Sequence, residues 1–155
     1  MTDDTDVAAF DHETHVRRAL ELAREATGRG DEPFGSVLVR EDAVVMTASN
    51  RVVTEDDVRR HPELHLVYRA CRQLTAAGRA ETVMYTSTEP CPMCAGGLRR
   101  AGFARVVYSV GGDEIGEFTG EAAPVRAVEI LDGVTEVVGP VLNDDGRAVH
   151  ESFGW

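Results

Sequence analysis

Two short motifs constrain this chain more than any other feature of its sequence. One is a His-Pro-Glu tripeptide that begins at residue 61, and the other is a Pro-Cys-Pro-Met-Cys pentapeptide that begins at residue 90. One imidazole and two thiols are ligands that zinc accepts, and three protein ligands leave the fourth tetrahedral position open, as in catalytic zinc sites. We therefore expect His61, Cys91 and Cys94 to bind one Zn²⁺, with Glu63 beside it as a carboxylate that the metal does not need.

The spacing of the two motifs suits hydrolytic chemistry. Pro62 and Pro92 fit the first turn of a helix, and a helix N-terminus favours the thiolate form that zinc requires. A zinc ion lowers the pKa of bound water to about 7, which supplies a nucleophile at neutral pH. Glu63, two residues after His61, is placed to act as the general acid and base.

Two other interpretations of these residues remain open at this stage. His61 and His65 are four residues apart on one helix, so they could join Cys91 and Cys94 in a closed structural zinc site. A Cys-x-x-Cys pair can also be redox-active.

Outside the motifs, Cys71 is predicted to be a buried thiol, and the histidines of polar helical stretches are predicted at the surface. These histidines are His12, His15 and His150.

Periodicity and turn residues predict alternating helices and strands. The first helix is expected over 11–27, with Asp11 as its N-cap, and the second from Pro62 to near Gly78, with a buried apolar stripe. Further helices are expected over 92–100, 127–131 and 143–153. Strands are expected over 36–39, 43–48, 82–87, 105–110 and 134–138. The stripe comprises Leu64, Val67, Tyr68, Cys71 and Leu74. The run 111–120 contains four glycines and is predicted to be a loop. This order of elements predicts a three-layer α/β/α sandwich around a mixed sheet.

Size and charge restrict the classes of function. The chain has 155 residues, of which 43% are hydrophobic, and suits one domain over 1–155 with an acidic, flexible N-terminus over 1–10. No long apolar run or signal peptide is evident, so a cytoplasmic protein that does not bind membranes is expected. The net charge is −11 and all 16 basic residues are arginine. Such an acidic surface makes nucleic acid an unlikely partner, and the pairs 59–60 and 99–100 are interpreted as solvated faces.

The two motifs match the H-x-E and P-C-x-x-C signature of zinc deaminases that act on nucleobases. From about His15 to the C-terminus, the chain resembles the cytidine and deoxycytidylate deaminase superfamily. The nearest branch contains small guanine deaminases, fungal-type cytosine deaminases and tRNA adenosine deaminases. The resemblance implies a five-stranded mixed sheet with helices on both faces, one catalytic zinc per subunit and a homodimer.

The same resemblance implies a pocket for a small aminated base. Asn50 matches an asparagine that hydrogen-bonds the base, Phe34 a pocket wall, and Asp113 the loop aspartate of guanine deaminases. Further residues expected to close over the base are Phe118, Phe153 and Trp155. A guanine-type purine is narrowly favoured, and the alternatives are cytosine, adenosine in tRNA, and a non-catalytic zinc-binding module. The family usually has a small residue at the position of Pro62. This difference makes the substrate of a relative a weaker guide to the substrate of this chain.

Overall fold

The computed structural model of the chain describes residues 9–155. The elements are α1 (His12–Gly28), β1 (Gly35–Arg40), β2 (Ala43–Ser49), α2 (Val52–Glu55), α3 (Pro62–Gln73), α4 (Ala76–Arg79), β3 (Val83–Thr88), α5 (Pro92–Ala101), β4 (Arg105–Val110), α6 (Gly116–Thr119), α7 (Ala127–Leu131), β5 (Glu136–Val138) and α8 (Asn143–Phe153). None of the helices among these residues combines the length and the apolar composition of a transmembrane segment. The predicted flexible N-terminus lies mostly outside the described residues, although Phe10 is described and is buried.

The five strands form one mixed sheet in the order β2-β1-β3-β4-β5. β1 is antiparallel to both β2 and β3, whereas β3, β4 and β5 are parallel to one another. Parallel neighbours need a crossover connection, and α5 and α7 supply the two that are required. The predicted five-stranded mixed sheet is confirmed.

Alternating side chains of the strands build a core on each face of the sheet. In β1, Val37 and Val39 pack with α1, while Leu38 between them packs on the other face with α3 and α5. α1 and α8 cover the first face, and α3, α5 and α7 cover the second. Gly35 permits the close approach of β1 to α1, because a Cβ there would lie 2.4 Å from the carbonyl oxygen of Ala19. The three-layer α/β/α arrangement is confirmed.

The predicted buried face of α3 is partly wrong. Leu66, Val67 and Ala70 are buried, whereas Tyr68 and Cys71 are exposed. Successive residues are about 100° apart around a helix, so a stripe shifted by one position turns two predicted core residues outward. The prediction that Cys71 is a buried thiol is therefore wrong.

Two predicted boundaries and one predicted loop also change. α3 ends at Gln73 rather than near Gly78, because residue 74 is extended and a separate single turn, α4, follows. β5 begins at Glu136, since the amides of residues 134 and 135 bond to the carbonyl of Leu131 and close α7. The glycine-rich run 111–120 contains the one-turn helix α6. α2 was not predicted.

The histidines predicted at the surface are mostly inside the protein. His15 and His150 are buried, and His12 is half-buried. His15 Nε2 lies 2.7 Å from a carboxylate oxygen of Asp42, and His12 Nδ1 lies 2.6 Å from the hydroxyl of Tyr85. The surface prediction is wrong for His15 and His150, because polar partners that are distant in the sequence compensate the burial of their rings.

Candidate active site

One group of metal-binding side chains is present among residues 9–155, and it comprises His61, Cys91 and Cys94. The Nδ1 atom of His61 lies 3.6 Å from the sulfur of Cys91 and 3.5 Å from that of Cys94. Two ligands of a tetrahedral zinc, one nitrogen and one sulfur, are about 3.6 Å apart when normal bond lengths apply. The spacing and the chemistry of this donor set therefore fit zinc. His65 is not part of this group.

Helix starts hold these three side chains in place. His61 is the N-cap of α3 and Cys91 is the N-cap of α5, each with proline at the following position. The two helices pack against each other, and Leu64 of α3 fills the space above Gly97 of α5, where a Cβ would lie 2.8 Å from Leu64 Cδ1. The two sequence motifs come together at the N-termini of these helices.

The thiols respond to this environment in opposite directions. Hydrogen bonds from Cys94 and His61 lower the pKa of Cys91 to about 4. The pKa of Cys94 is raised, first by its interaction with Cys91 and then by burial. The hydrogen bond to Cys91 raises the pKa of His61. The environment of the cluster thus favours the thiolate form of Cys91, which is the form that zinc binds.

Glu63 is buried beside the cluster. It is the second residue of α3, only 6% of its surface is exposed, and Ser36 Oγ lies 3.5 Å from its Oε1. Burial, followed by the charge of Cys91, raises the pKa of Glu63 to about 7. A carboxyl group with such a pKa can both accept and donate a proton near neutral pH.

A pocket of about 230 Å³ opens onto this cluster. Its walls combine both motifs with residues after β4: Phe34, His61, Pro62, Glu63, Thr88, Glu89, Cys91, Pro92, Gly112, Ile115, Glu121, Ala122, Ala123 and Pro124. The volume lies below the range of about 300–1,000 Å³ that takes drug-sized ligands, and it suits a single small heterocycle.

Residues 111–126, here called the pocket loop, supply one wall of this pocket. The carboxylate of Glu89 accepts hydrogen bonds from the backbone of Gly112 at 3.1 Å and of Ala127 at 2.9 Å, and from the guanidinium of Arg126. Glu89 lies two residues before Cys91, and its buried carboxylate therefore fixes both ends of the pocket loop. Sequence analysis did not assign this role, because its partners are 23 to 38 residues away.

Asn50 lies at the end of β2 and is almost fully buried. Its Oδ1 accepts a hydrogen bond from the Val52 amide at 3.1 Å, which orients the side chain so that Nδ2 remains as its donor. Arg29 donates to the Asn50 carbonyl and to the hydroxyl of Ser49, both at 2.8 Å. Asn50 is not among the residues that line the pocket.

The predicted closing aromatics gather around His150. The ring of Phe118 stacks on His150 at 5.3 Å, Trp155 Nε1 donates to His150 Nδ1 at 3.2 Å, and Phe153 lies 4.7 Å from Trp155. Phe34 contacts this cluster at 5.7 Å from His150 and also lines the pocket. The cluster therefore packs behind the pocket wall rather than inside the pocket.

Asp113 does not line the pocket. Its carboxylate is largely exposed and lies 3.5 Å from the guanidinium of Arg126. The predicted contact between Asp113 and a base thus stays a prediction, and it requires a change in the pocket loop.

The deaminase resemblance is supported by family and sequence comparisons. The model of the MafB19-like deaminase family matches residues 10–137, so the chain belongs to this family. A probable cytosine deaminase of Schizosaccharomyces pombe is 33% identical over 150 residues, which cover 90% of each chain. A guanine deaminase of Bacillus subtilis is 38% identical over 101 residues, covering 64% of this chain and 65% of that protein. A tRNA-specific adenosine deaminase of B. subtilis is 29% identical over 141 residues, or 91% and 87% of the two chains.

Solved structures show the same fold. A guanine deaminase from Nitrosomonas europaea superposes with a TM-score of 0.78 at 21% identity, and the match covers 92% of this chain and 84% of that one. The relatives therefore agree on family and fold but differ in the substrate that each is named for.

Proposed function

We propose that this protein is a zinc-dependent hydrolase that removes the exocyclic amine of a free nucleobase and releases ammonia. The observation that carries the proposal is the burial of Glu63 in the wall of a base-sized pocket, next to three side chains whose spacing fits zinc. His61, Cys91 and Cys94 would hold the ion. When bound, zinc supplies a water-derived nucleophile at neutral pH.

The chain's own residues would orient the base and move protons. The carboxylate of Glu63 would take one proton from the attacking water and deliver it to the ring nitrogen, and would then carry the second proton of that oxygen to the amine, which departs as ammonia. Phe34, which lines the pocket, would pack against the ring, and the hydrogen bond from Nδ2 of Asn50 that the family resemblance implies requires a small opening of the pocket towards this buried side chain. The pocket loop and Phe34 form walls of this space and would limit the access of bulk water to the proton transfers.

Guanine is our first choice of substrate, and cytosine is the second. The B. subtilis guanine deaminase supports the first at 38% identity, and the S. pombe probable cytosine deaminase supports the second over a longer alignment. Asp113 provides a direct test. If Asp113→Ala leaves both the rate and the Michaelis constant for guanine unchanged, Asp113 has no part in binding this base.

A tRNA substrate is less well supported, despite the adenosine deaminase relative. The charge of −11 opposes the approach of a long polyanion. We expect the enzyme to be a homodimer that acts on a small molecule in the cytoplasm. Sedimentation of the zinc-loaded protein at several concentrations measures its subunit number.

The experiment that tests the proposal is ammonia release by zinc-loaded protein and its Glu63→Gln variant. The substrates are guanine, cytosine, adenine, their nucleosides and a tRNA anticodon stem-loop. We expect one free base to react, and Glu63→Gln to lower its rate at least about a hundredfold with zinc content unchanged. Glu81→Gln, which changes an exposed carboxylate before β3, serves as the control. A Glu63→Gln protein as active as wild type contradicts the proposal.

A further inference from the structure

Thr88 is the one residue with a hydroxyl group among the described residues that line the pocket beside His61. The other lining side chains are carboxylates, proposed zinc ligands or apolar groups. The carboxylate of Glu89, the neighbour of Thr88, is already occupied by four donors from two side chains and backbone segments beyond β4. The hydroxyl of Thr88 is therefore the neutral polar group of this wall that a bound base could contact.

The backbone of Thr88 is fixed on two sides. Thr88 pairs with Val110 in the parallel ladder between β3 and β4, and its carbonyl accepts a hydrogen bond from the Thr86 hydroxyl at 3.2 Å. Only 5% of its surface is exposed. A buried side chain at the end of a paired strand holds its hydroxyl group in a defined position, which a specific contact requires.

His150, behind the pocket wall, determines in which direction this hydroxyl can donate. The indole Nε1 of Trp155 can only donate, and it lies 3.2 Å from His150 Nδ1. Nδ1 must therefore accept, so a neutral His150 carries its proton on Nε2. Burial lowers the pKa of His150 to about 4, and the ring is consequently neutral at pH 7.

The proton on Nε2 of His150 is shared with Thr88. Nε2 lies 2.9 Å from Thr88 Oγ1, and because the ring nitrogen donates, the hydroxyl oxygen accepts. The hydroxyl keeps its own proton, which has no other acceptor within residues 9–155. The hydrogen bonds from Trp155 to His150 and from His150 to Thr88 therefore leave one unused donor at the wall of the pocket. A buried donor without an acceptor is costly, and a ligand that accepts from it removes this cost.

The chemistry of the candidate bases identifies the acceptor. In the proposed reaction Glu63 protonates the ring nitrogen beside the amine, so that nitrogen is already engaged. Guanine and cytosine each keep a carbonyl oxygen as a further acceptor, whereas adenine has no carbonyl. A site built around a hydrogen bond rejects ligands that lack the matching group, because the group of the protein is then left unpaired.

We propose that the hydroxyl of Thr88 donates a hydrogen bond to the carbonyl oxygen of the bound base, and that His150 and Trp155 orient it for this contact. Thr88 is then a specificity-determining residue, and His150 and Trp155 act through it as positioning residues. The substrate class is an aminated base that also carries a carbonyl, such as guanine or cytosine, rather than adenine. This inference rests on the proposed function, since it concerns the same pocket.

The first test needs no substrate. ¹⁵N NMR of the zinc-loaded chain, labelled at histidine, distinguishes protonated from unprotonated ring nitrogens, and the signals that His150→Gln removes belong to His150. At pH 7 we expect a proton on Nε2 and none on Nδ1. A proton on Nδ1 would overturn the proposal, because Nε2 would then accept from Thr88 and the pocket would lose this donor.

The second test uses pairs of ligands that differ in the carbonyl oxygen. Guanine is paired with 2-aminopurine, and cytosine with 4-aminopyrimidine. Equilibrium dialysis gives their dissociation constants for zinc-loaded Glu63→Gln protein, in which turnover is slow. Adding Thr88→Val should weaken the base with the carbonyl about five- to tenfold and its partner by less than about twofold, since one neutral hydrogen bond is lost. Thr88→Ser keeps the hydroxyl and should largely restore the affinity.

Thr135→Val is the matched control. Thr135 is also buried, and its hydroxyl donates to the Phe103 carbonyl at 2.7 Å, beyond the end of β4 that lies opposite Val110. Its loss should lower stability without changing the affinity ratio within a pair. Any disturbance of His150 by Thr88→Val affects both members of a pair, so the ratio reports the contact with the carbonyl.

The outcomes separate this inference from the proposed function. Equal losses for both members of a pair in Thr88→Val, or no loss at all, would overturn the contact with Thr88 and leave the proposed deamination intact. If neither guanine nor cytosine binds to the zinc-loaded protein, the proposed function fails and this inference fails with it.

Discussion

The carboxylate of Glu89 and the guanidinium of Arg126 form an ion pair, with 2.7 Å between Oε1 and Nη2. Glu89 is 2% exposed at its side chain, whereas Arg126 retains 37%. The hydrogen bonds of Arg126, together with those of the Ala127 and Gly112 amides, lower the pKa of Glu89 although burial opposes this shift. The ionised carboxylate therefore links the segment that carries Cys91 to both ends of the pocket loop.

Glu89→Gln should destabilise the protein by about 2 kcal/mol, because it keeps the shape but removes the charge to which four donors point. Urea unfolding measures the loss. Glu81→Gln is the matched control: Glu81 forms an exposed pair with Arg40, and its loss should cost less than about 0.5 kcal/mol.

The same variant should affect substrate binding. A pocket loop released at both ends should raise the Michaelis constant of the reacting base several-fold, with zinc content unchanged. Equal stability losses in the Glu89 and Glu81 variants, or an unaltered Michaelis constant in Glu89→Gln, would mean that the ion pair does not hold the pocket loop.

Zinc content separates the three cysteines. Cys91→Ser and Cys94→Ser should each lower the zinc content from the expected one ion per chain towards zero after dialysis against a chelator, since each removes one of the three proposed protein ligands. Cys71→Ser provides the control, because Cys71 is exposed on α3 and lies outside the cluster. Zinc retained equally by all three variants would contradict the ligand assignment.

Trp155 connects the C-terminus to the pocket wall. Its indole ring lies 6.0 Å from both Phe34 and His150. Trp155→Ala should raise the Michaelis constant about five- to tenfold with little change in turnover, because Phe34 loses an aromatic neighbour worth about 1 kcal/mol. Trp155→Phe keeps an aromatic ring but loses the hydrogen bond to His150. Its Michaelis constant should lie between those of wild type and Trp155→Ala. A Michaelis constant unchanged in Trp155→Ala would remove Trp155 from the predicted pocket.

Structural features that depend on residues close together in the sequence could be predicted from the sequence. Proline after His61 and after Cys91 fixes where α3 and α5 begin, so the meeting of the two motifs at helix N-termini was predictable. The short apolar run 37–39, bounded by polar residues, likewise predicts the strand β1. These local rules were sufficient for the layers of the fold and for the proposed zinc ligands.

Features that depend on distant partners were not predictable in the same way. The pocket loop has no periodic pattern, and its position depends on Glu89, which precedes the motif cysteines and looks like any polar residue there. The exposure of Tyr68 and Cys71 depends on the rotation of α3 against the sheet, and their apolar character alone suggested the opposite. The burial of His150 depends on Thr88, which is 62 residues away.

His150 makes stability depend on pH. Its ring is 2% exposed; Nδ1 accepts the Trp155 indole proton and Nε2 lies 2.9 Å from the Thr88 hydroxyl. Burial, and to a smaller extent the charge of Arg147, lowers its pKa to about 4 from an ordinary 6.5. Between these values the unfolded chain binds a proton that the native ring does not. Stability should therefore fall as the pH falls from 6.5 to 4, by up to about 3 kcal/mol from this group.

Urea unfolding at fixed pH values between 4 and 7 measures this dependence. His150→Gln should be less stable at pH 7, because it disturbs the aromatic cluster, but its stability should change less over the same interval, since the titrating ring is gone. Glu151→Gln alters the exposed neighbour on α8 and should reproduce the wild-type slope. Parallel curves for wild type and His150→Gln would show that acid sensitivity in this window arises from other groups.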